Sequence, residues 1–410
     1  MKVAVIGGGA AGFFAAVNVM EKYPMATVVI FEKSSSLLSK VKISGGGRCN
    51  ITNAAKSVNE LSKAYPRGEK FLKKLFTQFH NFDAMSWFQE RGLPLVVQSD
   101  NCVFPASQNA QSVIDCFLNL CNKYQIGIKL SHHVVAIKSV SDKLEIAFQQ
   151  DAQRNQIFDY VIVTTGGSPK SQGLDWLKTL GHHISEPVPS LFSLSIKDKS
   201  LNNLMGIVVD DVVLKIQKQK FISQGPLLIT HWGISGPATL KLSSFAARFM
   251  NEAQYSFVIQ INWVGGKSND VILNELSEIA KQHQAKTLGN FRPFKLPTAL
   301  WQLILEKNNI VSTKLWREAG KSDFNKITNS LSCDVYNVTG KTAFKEEYVT
   351  CGGVSLESVD SKTLQSKSCP NLFFAGEVLD IDGVTGGFNF QAAWTTAYVA
   401  SSLGMGEKFS

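Results

Sequence analysis

Lys2-Val3-Ala4-Val5-Ile6-Gly7-Gly8-Gly9-Ala10-Ala11-Gly12, with Glu32 following a second apolar run at Thr27–Phe31, is the stretch that decides the fold. The apolar pentapeptide reads as a strand buried on both faces, and the glycines as a tight turn into a helix. The glycines differ in what they permit. Gly7 turns the chain, Gly9 lets backbone approach a pyrophosphate, and Gly12 lets the helix pack closely on the sheet. The phosphates would then meet the free N–H groups and partial positive charge of the helix N-terminus. Glu32 stands at the distance expected of an acceptor for a ribose hydroxyl. Strand, loop, helix, strand and acid in register are far more specific than a lone G-x-G-x-x-G, and they predict an α/β, Rossmann-like dinucleotide-binding domain.

The rest of the chain is consistent with that start. Its 410 residues are 44% hydrophobic, enough to bury a large core and to divide into two or three domains. The apolar run from Val3 to Val17 behind Lys2 has the look of an export signal, but a secretory segment has no reason to space glycines in this way. With no other stretch near the roughly 20 apolar residues of a membrane span, we expect a cytoplasmic protein with no membrane partner. Seven scattered cysteines, without a C-x-x-C pair, point to reduced thiols and to no structural metal. The net charge of +9 raises nucleic acid as a partner. Charged residues are only 18% of the chain, however, and clusters such as Lys70/Lys73/Lys74 and Lys215/Lys218/Lys220 read as solvated faces, so a small-molecule partner is the expectation.

Three parts are legible. Up to about Pro189, helical patterns at Glu69–His80, Asp83–Arg91 and Gln108–Tyr124 precede extended runs at Val134–Ser139, Leu144–Phe148 and Phe158–Thr164. The prolines at 187 and 189 then break the pattern. Short strands follow at Phe192–Ile196, Ile207–Gln217, Leu227–Thr230 and Tyr255–Trp263, and then helices at Asn269–His283, Pro297–Glu306 and Thr313–Leu331. From Tyr348 the α/β character returns, with a strand at Leu372–Ala375 and a helix from about Asn389 to Leu403. The expected architecture is a discontinuous nucleotide domain, residues 1–189 and 346–410, interrupted at 190–345 by a β-plus-helical domain.

Three more glycine motifs bear on which nucleotide is held. In Lys42-Ile43-Ser44-Gly45-Gly46-Gly47-Arg48-Cys49-Asn50-Ile51-Thr52-Asn53, the glycine run costs backbone entropy, so a close approach of backbone to something flat or anionic is its expected reason. Arg48 adds a charge, and Asn50 a donor and acceptor. In Tyr160–Ser168 a buried strand runs into Thr165-Gly166-Gly167, the small residues that a dinucleotide crossing a sheet edge requires. In Asn371–Gln391 a strand delivers Gly376-Glu377, and Gly386-Gly387 opens the last helix. The N–H groups of that helix suit a ring system that becomes negative on reduction, which favours FAD over NAD as the resident cofactor.

These segments, with Thr230-His231-Trp232-Gly233-Ile234-Ser235-Gly236-Pro237 and Cys351-Gly352-Gly353-Val354, resemble along essentially the whole chain those of the BaiN/YhiN-type flavoproteins, a bacterial family of NAD(P)/FAD-dependent oxidoreductases. The resemblance implies a Rossmann-like FAD domain of the glutathione-reductase-like superfamily, interrupted by a small β-barrel with a helical part. It also implies cofactor-binding roles for Gly7, Gly9, Ala10, Ala11, Gly12, Glu32 and Lys33. The same roles extend to Ser44, Gly46, Arg48, Cys49 and Asn50, to Thr165, Gly166 and Gly167, and to Gly376, Glu377, Gly387, Phe388, Asn389 and Gln391. Val135 would offer a backbone group to adenine. For some members the family suggests reduction of steroid-like enones.

The expected function is therefore FAD-dependent reduction of a small organic acceptor, an activated C=C, by hydride transfer through flavin N5. NADH or NADPH is expected as a transient reductant, since the chain carries a single dinucleotide fingerprint. A flavin monooxygenase, or a flavin-holding sensor or nucleic-acid-modifying factor, is the alternative. His231 is the candidate for proton transfer, weighed against a purely structural hydrogen-bonding role. Cys351 reads as a small buried residue rather than a redox thiol. Glu377, Asp380 and Asp382 read as hydroxyl acceptors or loop braces. Phe13-Phe14 and Trp87-Phe88 read as core, and Phe388 or Phe390 as core or flavin wall. Adjacent histidines at 132–133 and 182–183 point to opposite sides if extended, so no metal site is expected.

Overall fold

The computed structural model describes residues 1–150, 154–168, 170–342 and 349–405. The chain forms two compact units, Met1–Ser190 with Phe344–Ser410, and Leu191–Ala343.

The first unit is built on a five-stranded parallel sheet in the order Leu372–Phe374, Tyr160–Val163, Lys2–Ile6, Thr27–Phe31, Gly127–Lys129. Its three central strands carry apolar runs because they are packed on by the helix Ala10–Lys22 and by the antiparallel strands Lys143–Phe148 and Gln156–Phe158, whose Phe148 and Phe158 meet Phe31 at 5.2 and 5.7 Å; Val3, Val5, Ile30 and Ile162 are fully buried. The helix Ala10–Lys22 leaves the first strand at once and packs against the last helix, Phe388–Ala400. Between them lies an aromatic layer in which Phe14 meets Trp87 at 4.4 Å and Trp394 at 5.2 Å, and Phe117 meets Trp394 at 5.8 Å. Each such pair contributes about 0.5–1.5 kcal/mol beyond its buried area, so the aromatic pairs at 13–14 and 87–88 are core residues.

Three small antiparallel additions complete the unit. Thr52–Asn53, Cys102–Pro105 and Leu95–Val97 form one, and Val134–Val140, Lys143–Phe148 and Gln156–Phe158 form another. The third is a ribbon of Ile184–Ser190 with Val349–Val354. Both prolines of the 187–189 segment lie in that two-stranded ribbon, where a missing N–H can face away from the partner. The glycine run at 45–47 is the end of a short helical segment, Ser39–Gly47, kinked at Ser44–Gly46.

In the second unit, Ser193–Ile196, Gly233–Ser235, Ile222–Thr230, Val208–Ile216, Phe257–Asn262 and Asp334–Thr342 close into a barrel. It is filled by alternate apolar residues such as Leu194, Leu214, Ile229, Ile259 and Val338. Helices Pro237–Phe245, Asn269–Gln282, Thr298–Lys307 and Lys321–Ser332 accompany it. The expected single helix over 313–331 is broken: Gly320 caps a new helix with its N–H donating to the Asp323 carboxylate at 3.0 Å, after a short turn at Trp316–Glu318. No helix among the described residues is long and apolar enough to cross a membrane.

Candidate functional site

The glycine turn at the first strand is held shut on one side and open on the other. Gly7 has φ +117°, and a Cβ there would fall on the Thr164 carbonyl; a Cβ on Gly12 would fall on the Gly7 carbonyl. Thr164 pins the turn further, its hydroxyl donating to the Ile6 and Gly7 carbonyls, both at 3.0 Å. Gly9 is the contrast. It has ordinary extended φ/ψ of −94°/−169°, and a Cβ built on it meets nothing within 4 Å. Gly9 is also the N-cap of the helix and no side chain caps it, so the first-turn N–H groups at Ala10, Ala11 and Gly12 face that space without intrahelical partners.

Glu32, at the end of the second strand, closes the turn from the other flank. Its carboxylate accepts from the Gly8 N–H at 2.7 Å and from the Ser34 N–H at 2.8 Å, which leaves lone pairs for a hydroxyl. Lys33 beside it is exposed. The segment that leads to Val135 runs along the same flank, with the Glu32 N–H donating to Lys129 and the His132 N–H to Glu32, at 2.9 and 2.8 Å. Val135 sits where the Val134/Ala136 register shifts, so its backbone lies at a bulge.

The second glycine segment and the C-terminal segment meet each other. Gly45, Gly46 and Gly47 are all left-handed, at φ +57°, +69° and +83°, and added Cβ atoms on Gly46 and Gly47 meet nothing within 4 Å. Ser44 donates to the Val41 carbonyl. The Arg48 guanidinium donates to Gly45 at 3.1 Å and lies 4.3 Å over the Phe104 ring, which holds this tight curve. Cys49 is fully buried, and burial pushes its thiol up to about 12. The Asn50 amide donates to Val103 and Thr52 and accepts from the Gly387 N–H at 3.1 Å. Thr52 donates to Gln391 at 2.6 Å, and the Asn53 amide to the Gly386 carbonyl at 3.1 Å. Asn389 spends both ends of its amide on the Gly383 backbone. Phe390 stacks on Trp394 at 5.5 Å, and Phe388 stands edge-on to Tyr65.

The strand-end glycines complete the ring of segments. Gly376 lies against Ala11, and its N–H donates to the Thr396 hydroxyl at 2.8 Å. The Glu377 carboxylate accepts from Lys40 at 2.6 Å and from the Thr350 N–H at 2.9 Å, beside Gly166 and Gly167; Thr165, the first of that turn, is exposed. Below the last loop, Arg67 forms a two-pronged pair with the fully buried Asp382, which also accepts from Ser190 at 2.7 Å. Burial raises that carboxyl above its ordinary value, against the pull of Arg67 and Ser190. Cys351 is buried in the Val349–Val354 strand.

Residues from both ends of the chain thus meet in two groups: 7–12 with 32, 165–167 and 376–377, and 50–53 with 386–391. Four contributors have no place among the sequence candidates. Thr164 fixes the first turn, Lys40 and Thr350 hold Glu377, and Thr52 holds Gln391. Thr164 was signalled by its position in the Thr-Thr-Gly-Gly strand end and Thr52 by its place in the Lys42–Asn53 motif; Lys40 and Thr350 carry no local signal. His231 lies in the other compact unit, exposed in the turn between Ile222–Thr230 and Gly233–Ser235, its ring edge-on to Trp232 at 4.2 Å. Among the described residues, no group of three or more His, Cys, Asp or Glu side chains could hold a metal ion.

Residues 1–403 match the model of the HI0933-like protein Rossmann domain. The chain belongs to the HI0933-like family. Two full-length relatives place that family more closely. A ribosomal RNA dihydrouridine synthase of Haemophilus influenzae is 27% identical, over 97% of this chain and 96% of the relative. A 3-dehydro-bile acid delta(4,6)-reductase of Clostridium scindens is 25% identical, over 97% and 98%. Among solved structures, a 3-ketosteroid delta1-dehydrogenase of Sterolibacterium denitrificans shares the fold at 11% identity, with a TM-score of 0.50 over 98% of each chain. HI0933-like proteins are an FAD-dependent oxidoreductase family, and the expected α/β fold class with a barrel and helices is the one observed.

Proposed function

We propose that the segments around the first helix N-terminus hold FAD, and that the protein uses it to reduce a carbon–carbon double bond conjugated with a carbonyl. The observation that carries the reading is the asymmetry of the glycines: Gly7 and Gly12 are closed by backbone, while Gly9, Gly46 and Gly47 border open space. A pyrophosphate suits the first-turn amides after Gly9, and a ribose hydroxyl the remaining lone pairs of Glu32. Adenine suits the bulged backbone at Val135. The left-handed run at 45–47 and the start of the last helix supply backbone N–H groups for the flavin's polar edge. Arg48, Asn50, Glu377, Asn389 and Gln391 act on that edge indirectly, by fixing the backbone that faces it.

FAD, once bound and reduced by a two-electron donor such as NADH or NADPH, would supply a hydride from N5 to the electron-poor carbon, the neighbouring carbon taking up a proton. The protein's own part is to hold substrate and donor in line, exclude water and deliver a proton. His231 is our choice of proton donor. The names of the two relatives support the reaction class, since a dihydrouridine is a uridine whose 5,6 double bond, conjugated with the 4-carbonyl, has been saturated, and a delta(4,6)-reductase acts on the same kind of bond. NADH or NADPH fits as a visiting electron source.

Anaerobic single-turnover reduction tests the reading. NADPH or NADH should bleach the bound flavin, and an α,β-unsaturated ketone or a uridine-containing RNA should restore its colour. His231→Gln should slow reoxidation about 10²-fold or more, while leaving the bleaching step unchanged. Flavin that neither nicotinamide reduces would contradict the proposal.

A further inference from the structure

The net charge of the chain is unevenly placed. Residues 191–343 hold 18 Lys and Arg against 11 Asp and Glu, a balance of +7 out of the chain's +9. Within them, no acidic residue occurs between Glu278 and Glu306, a stretch that holds Lys281, His283, Lys286, Arg292 and Lys295. Lys281 is paired with Glu278 at 2.8 Å, but Lys286, Arg292 and Lys295 are exposed, and Arg317, next to Glu318, is exposed on the neighbouring segment, whose backbone pairs with this one at Thr287 and Leu315.

Flat rings alternate with these cations. His283 and Phe291, both half-buried, lie against each other with centroids 3.8 Å apart, and the Lys286 ammonium stands 5.1 Å from the Phe291 centroid. Phe294 is half-buried three residues on. Phe294 and Lys295 are both left-handed, at φ +57° and +54°, a conformation that bulky side chains rarely adopt and that persists where a segment must present a fixed shape. The Arg317 amide donates to Gln284, the Trp316 amide to Lys286 and the Leu288 amide to Lys314, which ties the segment down.

We infer that the 283–295 segment, with Arg317, is an RNA-docking face: Lys286, Arg292 and Lys295 neutralise phosphates, and its half-exposed rings offer stacking surface to unpaired bases. A membrane surface would call for protruding apolar side chains, whereas these rings lie half-sunk between charges. The inference deepens the proposed function by making the conjugated double bond that of a uracil ring in RNA, and it rests on that reading for the chemistry but not for the binding.

The experiment measures binding by the flavin-loaded full chain, using fluorescence anisotropy of a labelled single-stranded uridine-rich RNA across a salt series. The triple variant Lys286→Gln/Arg292→Gln/Lys295→Gln should lower affinity at least tenfold and reduce the slope of log K against log salt by about 2, from roughly 0.7 per lost phosphate contact on a single strand. Phe291→Ala should lower affinity about fivefold or more with the slope unchanged, which separates stacking from charge. Lys215→Gln/Lys218→Gln/Lys220→Gln, three cations at the Val208–Ile216 strand end and its turn, is the matched control and should move affinity less than threefold. Equal losses in the two triple variants, or wild-type binding to phosphatidylserine vesicles in preference to RNA, would overturn the inference. Flavin content and the melting curve of each variant show that it is folded. A wild type that reduces enones without binding RNA would refute the docking face and leave the reductase reading standing.

Discussion

Asp382→Ala should be among the most damaging single changes in the first unit. Asp382 is fully buried, its carboxylate takes two donors from Arg67 and one from Ser190, and the Arg67 side chain is only 15% exposed. Removing the anion strips a buried guanidinium of its two-pronged acceptor, a loss of about 3–5 kcal/mol. That is a large part of the 5–15 kcal/mol typical of a whole protein. The effect should reach the site, because the Arg67 segment is bridged to Asp382 along the backbone and the Val384 N–H donates to Ala64 at 2.9 Å. The loop so held leads directly into Gly386-Gly387 and the last helix. Urea unfolding followed by tryptophan fluorescence reads the stability, and FAD titration reads the loop. The double change Arg67→Met/Asp382→Leu removes both charges and should recover most of the loss, since apolar replacement of a buried pair is often neutral or stabilising. A loss below about 1 kcal/mol for Asp382→Ala, or a double variant as unstable as the single one, would refute the reasoning.

Three further outcomes are expected. His182 is buried, with its ring nitrogens bonded to Leu177 at 3.0 Å and Ser366 at 2.8 Å, and burial lowers its pKa below the ordinary 6.5. The unfolded chain therefore takes up the proton first, so wild type should lose up to about 1.4 kcal/mol per pH unit below pH 6.5 until the folded value is passed. His182→Gln should lack that slope in unfolding curves at pH 7.5, 6.5 and 5.5. A thiol reagent at neutral pH should modify the exposed Cys333 first, while Cys49, Cys102 and Cys121, buried with thiols pushed up to about 12, 11 and 12, should react only on unfolding. Lys40→Ala should cost under about 1 kcal/mol, since its ammonium is 55% exposed, but Glu377→Ala about 1–3 kcal/mol, because it strips the Thr350 N–H of its acceptor. The difference is measurable by urea unfolding.

What was legible in the sequence is what short-range sterics dictate. A strand that must turn within two residues and a helix that must pack at van der Waals distance impose Gly7 and Gly12 at fixed offsets, and the run at 45–47 needs three left-handed residues in succession. Those constraints are local, so spacing reveals them. The Arg67–Asp382–Ser190 cluster is not local: its members are separated by 315 and 192 positions, and Tyr65-Pro66-Arg67-Gly68 has no pattern of its own. Thr52 with Gln391 is the same case, since a buried hydrogen bond between distant residues leaves no periodicity. The barrel strand expected at Leu227–Thr230 begins earlier, at Ile222, and runs through Gly225-Pro226 because its partner bulges there: Val209 pairs with Leu227 and Val212 with Gly225, so two partner residues face Pro226 alone. The break at Gly320 was hidden by helical periodicity on both sides of it.

The central claim is that a dinucleotide lies over Gly9, and Gly9→Val tests it most directly. Its φ/ψ suits valine and a Cβ there meets no protein atom within 4 Å, so the fold should hold while the space for the pyrophosphate is filled. Titrating apo-protein with FAD and following flavin fluorescence should show one-to-one binding by wild type and at least hundredfold weaker binding by the variant, at equal unfolding midpoints. Wild-type protein that takes up no FAD, or a variant that binds it as tightly as wild type, would contradict the account.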